Sequence, residues 1–249
     1  MHSNNELGII NDIPAIAAVA NKHGVMFHSD TVQSLGKTYL NISETGCNTA
    51  SFSAHKIYGP KGIGALYVKR GTSIDKLIHG GKQERDLRGG TENIAAIAGF
   101  KKAIEILKEE MDNDIAHYKK LKDKLLSGLK PLFKDYVIIN SIIEHTSSAK
   151  TDTPLRRGIS LDNIVNISFD PAKIKIDADT FLIKLDMKGI AVSSGSACTS
   201  GSIKPSHVLT ALGYDDETAK SSLRISFGRF NKVNDVDYLL KTLTELLNF

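Results

Sequence analysis

Phe27-His28-Ser29-Asp30-Thr31-Val32-Gln33 and, further on, Ser53-Ala54-His55-Lys56 decide how this chain is read. Each is an apolar stretch that breaks off into polar groups: Val25-Met26-Phe27-His28 reads as a short buried strand, and Thr49 to Ser53 reads as another. In open α/β sheets ligands bind at the carboxyl ends of strands, so Asp30 and Lys56 are expected at one crevice although 26 positions (56 − 30) separate them. A carboxylate and a lysine sharing a site suit pyridoxal phosphate. A lysine forms the Schiff base, and an acid pairs with the pyridinium nitrogen so that the ring acts as an electron sink. Ser53 and His55 would suit the cofactor phosphate, and the Gln33 amide the ring oxygen. Taken singly, Asp30 fits a loop cap equally well, His55 a core histidine and Lys56 a surface lysine.

Outward from these segments, Asp12 is a candidate N-cap for a helix from Pro14 to Lys22, with Ile13, Ile16, Val19 and Ala20 inward and Gly24 as its stop. Gly59-Pro60-Lys61-Gly62 marks a turn before a strand from Gly62 to Val68. Ile97, Phe100, Ile104, Leu107 and Met111, continued by Ile115, Tyr118, Leu121, Leu125 and Leu129, step by three and four, as a long helix or a broken pair would. After Pro131 short strands (Val137 to Ile139, Ile164 to Phe169, Ile190 to Ser193, Leu223 to Phe227) alternate with helices at Asp179 to Met187 and Asn234 to Leu247. The fold class is therefore α/β, with a large-domain portion over residues 1–111 and a smaller α+β domain over residues 112–249. The polar stretch His145 to Ser160 reads as a surface loop.

Two further segments carry chemistry. Ser193-Ser194-Gly195-Ser196-Ala197-Cys198-Thr199-Ser200-Gly201 places a thiol among small, flexible residues, where Cys198 is either a nucleophile that visits a substrate or an inert cysteine in a linker. Cys47, beside Gly46, reads as structural. In Leu223-Arg224-Ile225-Ser226-Phe227 the alternation puts Arg224 and Ser226 on one strand face. Arg224 there suits either a bidentate hold on a carboxylate or a structural salt bridge.

With 41% hydrophobic and 24% charged residues the chain can bury a core, and its formal charge of +4 shows no nucleic-acid footprint. No apolar run approaches the ~20 residues of a membrane span, and the start has no signal-peptide core. A cytoplasmic protein is expected. The two cysteines, without CxxC spacing, suggest neither a disulfide framework nor a zinc site, and no metal is expected. Gly59, Gly62 and Gly64 make no dinucleotide fingerprint.

The motifs together resemble the cysteine desulfurases of the class V aminotransferase family, the branch that supplies sulfur for iron–sulfur clusters and tRNA. They are Ser3-Asn4-Asn5-Glu6-Leu7-Gly8, Phe27 to Gln33, Ser53 to Lys56 with Tyr58-Gly59-Pro60-Lys61-Gly62, His79-Gly80-Gly81 with Gln83-Glu84-Arg85, Arg88-Gly89-Gly90-Thr91-Glu92-Asn93, and Ser193 to Ser200. The resemblance implies the fold-type I architecture of pyridoxal 5'-phosphate enzymes, a homodimer, and conversion of L-cysteine to L-alanine with an enzyme persulfide. It implies Lys56 as the Schiff-base lysine, Asp30 as the pyridinium partner, and Gln33 with Asn5 around the ring oxygen. Ser53, His55 and Thr91 correspond to phosphate ligands, Thr91 toward the neighbouring subunit's cofactor. Cys198 corresponds to the persulfide cysteine, and Arg224, near Asn5 in role, to the holder of the substrate carboxylate. An iron–sulfur scaffold or sulfur-carrier protein is the implied acceptor. Met1-His2 falls where family members are well into the large domain, which implies a fragment of doubtful activity alone, complemented by an N-terminal chain. His145 to Ser160 is longer than the family's connection there. A non-catalytic binding module and another pyridoxal-phosphate transaminase or lyase are the competing readings.

Overall fold

The computed structural model describes residues 1–141, 159–194 and 204–247. It divides into two compact units, Met1–His2 with Asn11–Asp112, and Ser3–Ile10 with Asn113–Phe249. Residues 3–10 thus pack with the second unit rather than with the large-domain portion assigned to residues 1–111. No helix among the described residues is long and apolar enough to cross a membrane.

In the first unit α1 (Ile13–Lys22) begins as expected, with Asp12 Oδ1 accepting from Ala15 N at 3.1 Å. Its buried stripe is narrower than the periodicity suggested. Ile13 and Ala17 are buried, whereas Ile16 and Val19 are exposed and Ala20 is half-buried. Ala17 seats against Gly46, where an added Cβ would lie 3.2 Å from Ala17 Cβ, so the contact runs through the 13/17 line.

Three strands follow, in the order β1 (His28–Asp30), β2 (Thr49–Ser53), β3 (Gly64–Val68). β1 and β2 are parallel, in register His28↔Thr49 and Asp30↔Ser51, and β3 is antiparallel to β2. The strand read at Val25 to His28 is corrected: pairing starts only at His28, and Val25 and Met26 are 57% and 63% exposed. The reason is local, since Val25 N donates back to Ala20 O at 3.0 Å and so belongs to the end of α1. β3 likewise starts two residues later than read, after Gly62 has used its φ of +79° to make the turn.

A 3₁₀ turn, Ala54–Ile57, leaves β2 directly. Ala54 and Ile57 bury themselves against Phe100, Ala103 and Leu107. Those three lie on α3 (Ile94–Phe133), a single helix of 40 residues, so the long-helix alternative holds. Ile97 and Ile104, read as part of its buried stripe, are 43% and 46% exposed. A one-turn element α2 (Gln83–Asp86) precedes α3 and holds Glu84, Arg85 and Asp86 at φ of 49°, 59° and 65°. Three successive left-handed residues with side chains each cost about 1–2 kcal/mol, a strain of the kind that collects at functional loops.

The second unit is an antiparallel sheet ordered β4 (Val137–Ile139), β5 (Ile164–Phe169), β7 (Leu223–Ser226), β6 (Ser193–Ser194). α4 (Ala178–Met187), α5 (His207–Ala211), α6 (Asp216–Lys220) and α7 (Val233–Leu247) complete it. Val165, Ile167 and Phe169 on β5 and Leu223, Ile225 and Phe227 on and just past β7 meet Leu121, Leu125 and Leu129 of α3 and Val236, Leu240 and Leu243 of α7 in one core. The strand read at Ile190 to Ser193 is observed at Ser193–Ser194, the residues that pair with β7 among the described residues. Residues 3–10 join this unit through Leu161 N donating to Gly8 O at 2.8 Å and through Leu7 packing on Leu209 and Ala219. The loop read from His145 to Ser160 lies outside the described residues except for Ile159 and Ser160.

Candidate functional site

Because β1 and β2 run parallel, their carboxyl ends open at the same edge of the sheet, and paired residues point to the same face. That face carries His28 and Asp30 from β1 and Thr49, Ser51 and Ser53 from β2. The opposite face carries Ser29, Ala50 and Phe52, the first two buried. Asp30 and the segment Ser53–Lys56 are therefore brought to neighbouring strand ends. Asp30 Oδ1 accepts from Val32 N at 2.8 Å, a turn that carries the chain into Gln33, which is half-buried. Ser53 Oγ and His55 Nδ1 share a hydrogen bond of 2.6 Å across the start of the 3₁₀ turn. Lys56 follows on that turn, half-buried, and its backbone is fixed by Ile57 below and by Gly59 N donating to Ala54 O at 2.9 Å. Gly59 has no room for a side chain: a Cβ there would meet Ala54 Cβ at 2.9 Å and Ala54 O at 3.0 Å.

Two histidines gain partners that the sequence alone does not show. His28 Nδ1 lies 2.9 Å from Thr49 Oγ1 and its Nε2 3.5 Å from Ser51 Oγ, so a polar row crosses the strand pair beside Asp30. The alternation Thr49-Ala50-Ser51-Phe52-Ser53 was the available signal. His2 N donates to Asp30 O at 2.7 Å, and His2 Nδ1 shares a 2.7 Å hydrogen bond with Ser34 Oγ. Burial, and then the positive α-amino group, hold the His2 imidazole below its usual range. Thr91 is exposed, at the end of a loop stitched by Gly89 N donating to Ile78 O at 2.7 Å and Gly90 N to Gln83 Oε1 at 3.1 Å.

In the second unit Arg224 stands on the polar face of β7, as the alternation required, with Leu223 and Ile225 buried on the other side. Its Nη1 donates to Asn5 O at 3.1 Å and its Nη2 to Ser193 Oγ at 3.3 Å, so Asn5 and Arg224 are neighbours. These partners are neutral. Among the described residues an arginine ion pair is made by Arg229, whose Nε and Nη2 donate to Asp114 at 2.9 and 2.6 Å. Cys47 is buried, in keeping with a structural thiol. Cys198 and the rest of its segment from Gly195 to Gly201 lie outside the described residues.

Residues 1–239 match the aminotransferase class-V family. The chain belongs to the class-V aminotransferase family. Among its relatives, the cysteine desulfurase IscS of Mannheimia succiniciproducens is 44% identical over 242 residues, covering 96% of this chain and 54% of that protein. The mitochondrial cysteine desulfurase of Saccharomyces cerevisiae is 41% identical over 251 residues, 100% of this chain and 46% of that one. The class-V chain thus spans about half the length of the curated relatives it matches. A NifS-like protein from Rickettsia africae superposes with a TM-score of 0.83 at 34% identity, over 100% of this chain and 61% of that structure. The α/β architecture is accordingly part of that larger fold, and the resemblance carried by the motifs is to the proteins that these matches name.

Proposed function

We propose that this chain carries the cofactor lysine and the sulfur-accepting cysteine of a cytoplasmic cysteine desulfurase. The observation that supports it most is the convergence of Asp30, Ser53 with His55, and Lys56 at adjacent carboxyl ends of parallel strands. This donor set fits pyridoxal 5'-phosphate: a carboxylate for the pyridinium nitrogen, a hydroxyl and an imidazole for the phosphate, and a primary amine for the aldehyde. When bound, the cofactor supplies an electron sink for bonds broken beside the substrate's amino group. Asp30, its backbone oxygen tied to His2, holds one end of the site. Ser53 and His55 hold the phosphate end and thereby orient Lys56. Gln33 and Asn5 serve the ring oxygen, and Thr91 serves the phosphate of a second subunit.

Arg224 receives the carboxylate of L-cysteine, a role that its neutral partners support because no anion already neutralises it among the described residues. The Cys198 sulfur bonds the substrate sulfur, the substrate carbon–sulfur bond breaks, and its electron pair stays on the carbon skeleton, which takes a proton and leaves as L-alanine. The thiol is left as a persulfide, to be passed to an iron–sulfur scaffold or sulfur-carrier protein. We further propose that turnover requires a homodimer or a complementing N-terminal polypeptide supplying the remaining length of the relatives, a reading supported by the exposure of Val25 and Met26. The test is to add pyridoxal phosphate, reduce with borohydride and map the adduct by mass. One phosphopyridoxyl group on Lys56 is expected, and an adduct distributed over surface lysines, with Lys56 unmodified, would contradict the assignment.

A further inference from the structure

The polar face of the second unit's sheet is buried around Arg224, and its side-chain atoms without a hydrogen-bond partner among the described residues include Asn140 Oδ1, Asn166 Nδ2 and Arg224 Nε. Asn166 is wholly buried and stands opposite Arg224 in the β5/β7 ladder. Phe227 N donates to Asn163 O at 2.8 Å, which marks 163/227 as a hydrogen-bonded pair. By the alternation of antiparallel ladders 166/224 is then a non-hydrogen-bonded pair, with Cα atoms about 4.5 Å apart and side chains at their closest. The backbone of Asn166 agrees, because it turns to the other side: its N donates to Ser141 Oγ at 2.7 Å and its O accepts from Asn140 N at 2.8 Å.

Asn140 Nδ2 donates to Asn166 Oδ1 at 2.7 Å and to Ser168 Oγ at 2.8 Å, which leaves Asn166 Nδ2, a donor without a partner among the described residues, on the residue paired with Arg224, whose Nε is likewise an unpartnered donor. The two ends of a carboxamide are alike in size, so a half-turn of both amides moves no heavy atom. Asn166 Nδ2 and the Ser168 hydroxyl then donate to Asn140 Oδ1, and Asn166 Oδ1 faces the arginine. Three unpartnered atoms become one.

We propose that Asn166 is a positioning residue for Arg224, its carboxamide oxygen accepting the Nε–H. With Asn5 O on Nη1 and Ser193 Oγ on Nη2, each guanidinium nitrogen is anchored once. Of the five N–H groups of an arginine, one remains on each terminal nitrogen. The edge through Nε is closed, so a carboxylate docks end-on, between Nη1 and Nη2. This rests on the reading of Arg224 as the carboxylate holder, and the experiment separates the two.

The full chain labelled with ¹⁵N and ¹³C gives the Arg224 Nε–H signal, assigned by its loss in Arg224→Lys. A through-hydrogen-bond coupling from that nitrogen to the Asn166 side-chain carbonyl carbon is expected in the unaltered protein, and its absence would overturn the proposal without any variant. Hydrogen exchange at Nε should speed up about tenfold or more in Asn166→Ala and return to slow in Asn166→Asp, which keeps an acceptor, while Arg229 Nε–H stays protected in both. Unchanged exchange in Asn166→Ala would overturn it. In protein loaded with pyridoxal phosphate and assembled with the second copy or complementing polypeptide that turnover requires, Asn166→Ala should raise KM for L-cysteine about tenfold with a smaller change in kcat. A present coupling with unchanged KM in Asn166→Ala would keep the hydrogen bond but remove its role in substrate binding, whereas an unchanged KM in Arg224→Lys would remove the carboxylate reading of Arg224 itself.

Discussion

Gly59→Ala offers the sharpest perturbation of the segment that presents Lys56. The added methyl would sit 2.9 Å from Ala54 Cβ, 3.0 Å from Ala54 O and 3.3 Å from Ala103 Cβ, where carbon contacts relax at about 3.5–4.0 Å. None of the three is the far end of a flexible side chain, so the 3₁₀ turn itself must move by several tenths of an ångström. Overpacking of this kind costs about 1–3 kcal/mol. Gly59 is not in the left-handed region, so alanine also stiffens the unfolded chain, which returns about 0.4–1 kcal/mol. A net loss of about 1–2 kcal/mol remains, a factor of about 5–30 in local opening. Hydrogen exchange read by mass on peptides spanning residues 49–68 should quicken by that factor, and retention of pyridoxal phosphate on Lys56 should fall with it. Gly62→Ala is the control, since nothing lies within 4 Å of its added Cβ and only its φ of +79° opposes the change. Unaltered exchange and cofactor retention in Gly59→Ala would refute the claim that the turn is packed without slack.

Asp114→Ala should lower the stability of the second unit by about 3 kcal/mol, since it removes both carboxylate oxygens that Arg229 Nε and Nη2 donate to at a 6% exposed site; a urea midpoint shift smaller than that of an exposed pair such as Lys119–Asp123 would contradict it. His2 is held below 6.5 by burial, so between 6.5 and its folded value the unfolded chain binds a proton that the folded chain refuses. Stability should therefore fall as pH drops below about 6.5, and His2→Gln should flatten that dependence; parallel urea midpoints at two pH values check both. Lys56→Ala should lose covalent cofactor and all turnover, whereas Cys198→Ser should keep the cofactor and lose only sulfur transfer, as absorbance and persulfide assays would separate.

Some features were written in local chemistry and survived intact. Asp12 caps α1, the alternation around Arg224 set its face, and Leu121, Leu125 and Leu129 marked the buried stripe of α3. Ile16, Val19, Val25 and Met26 were misread because periodicity reveals which apolar residues share a side but not whether anything covers them. α5 and α6 went unnoticed, although Ser206 accepts from Val208 N and Leu209 N and Asp215 from Thr218 N, the marks of N-caps. Their single turns were too short to show a period. At the site, Asp30 and Lys56 were legible from their strand ends. The row through His28, Thr49 and Ser51 was not, because it exists only once the register of β1 against β2 is known.

The central claim is that sulfur from L-cysteine arrives on Cys198 through a site built on Lys56. Its most direct test is to mix the chain with pyridoxal phosphate, L-cysteine and a polypeptide supplying the rest of the length of a relative such as the Mannheimia desulfurase. Alanine release and the mass of the peptide containing Cys198 are then measured together. One added sulfur atom on that peptide per alanine released is expected, with neither product from Lys56→Ala; alanine formed while Cys198 stays unmodified, or from Lys56→Ala at the same rate, would contradict it.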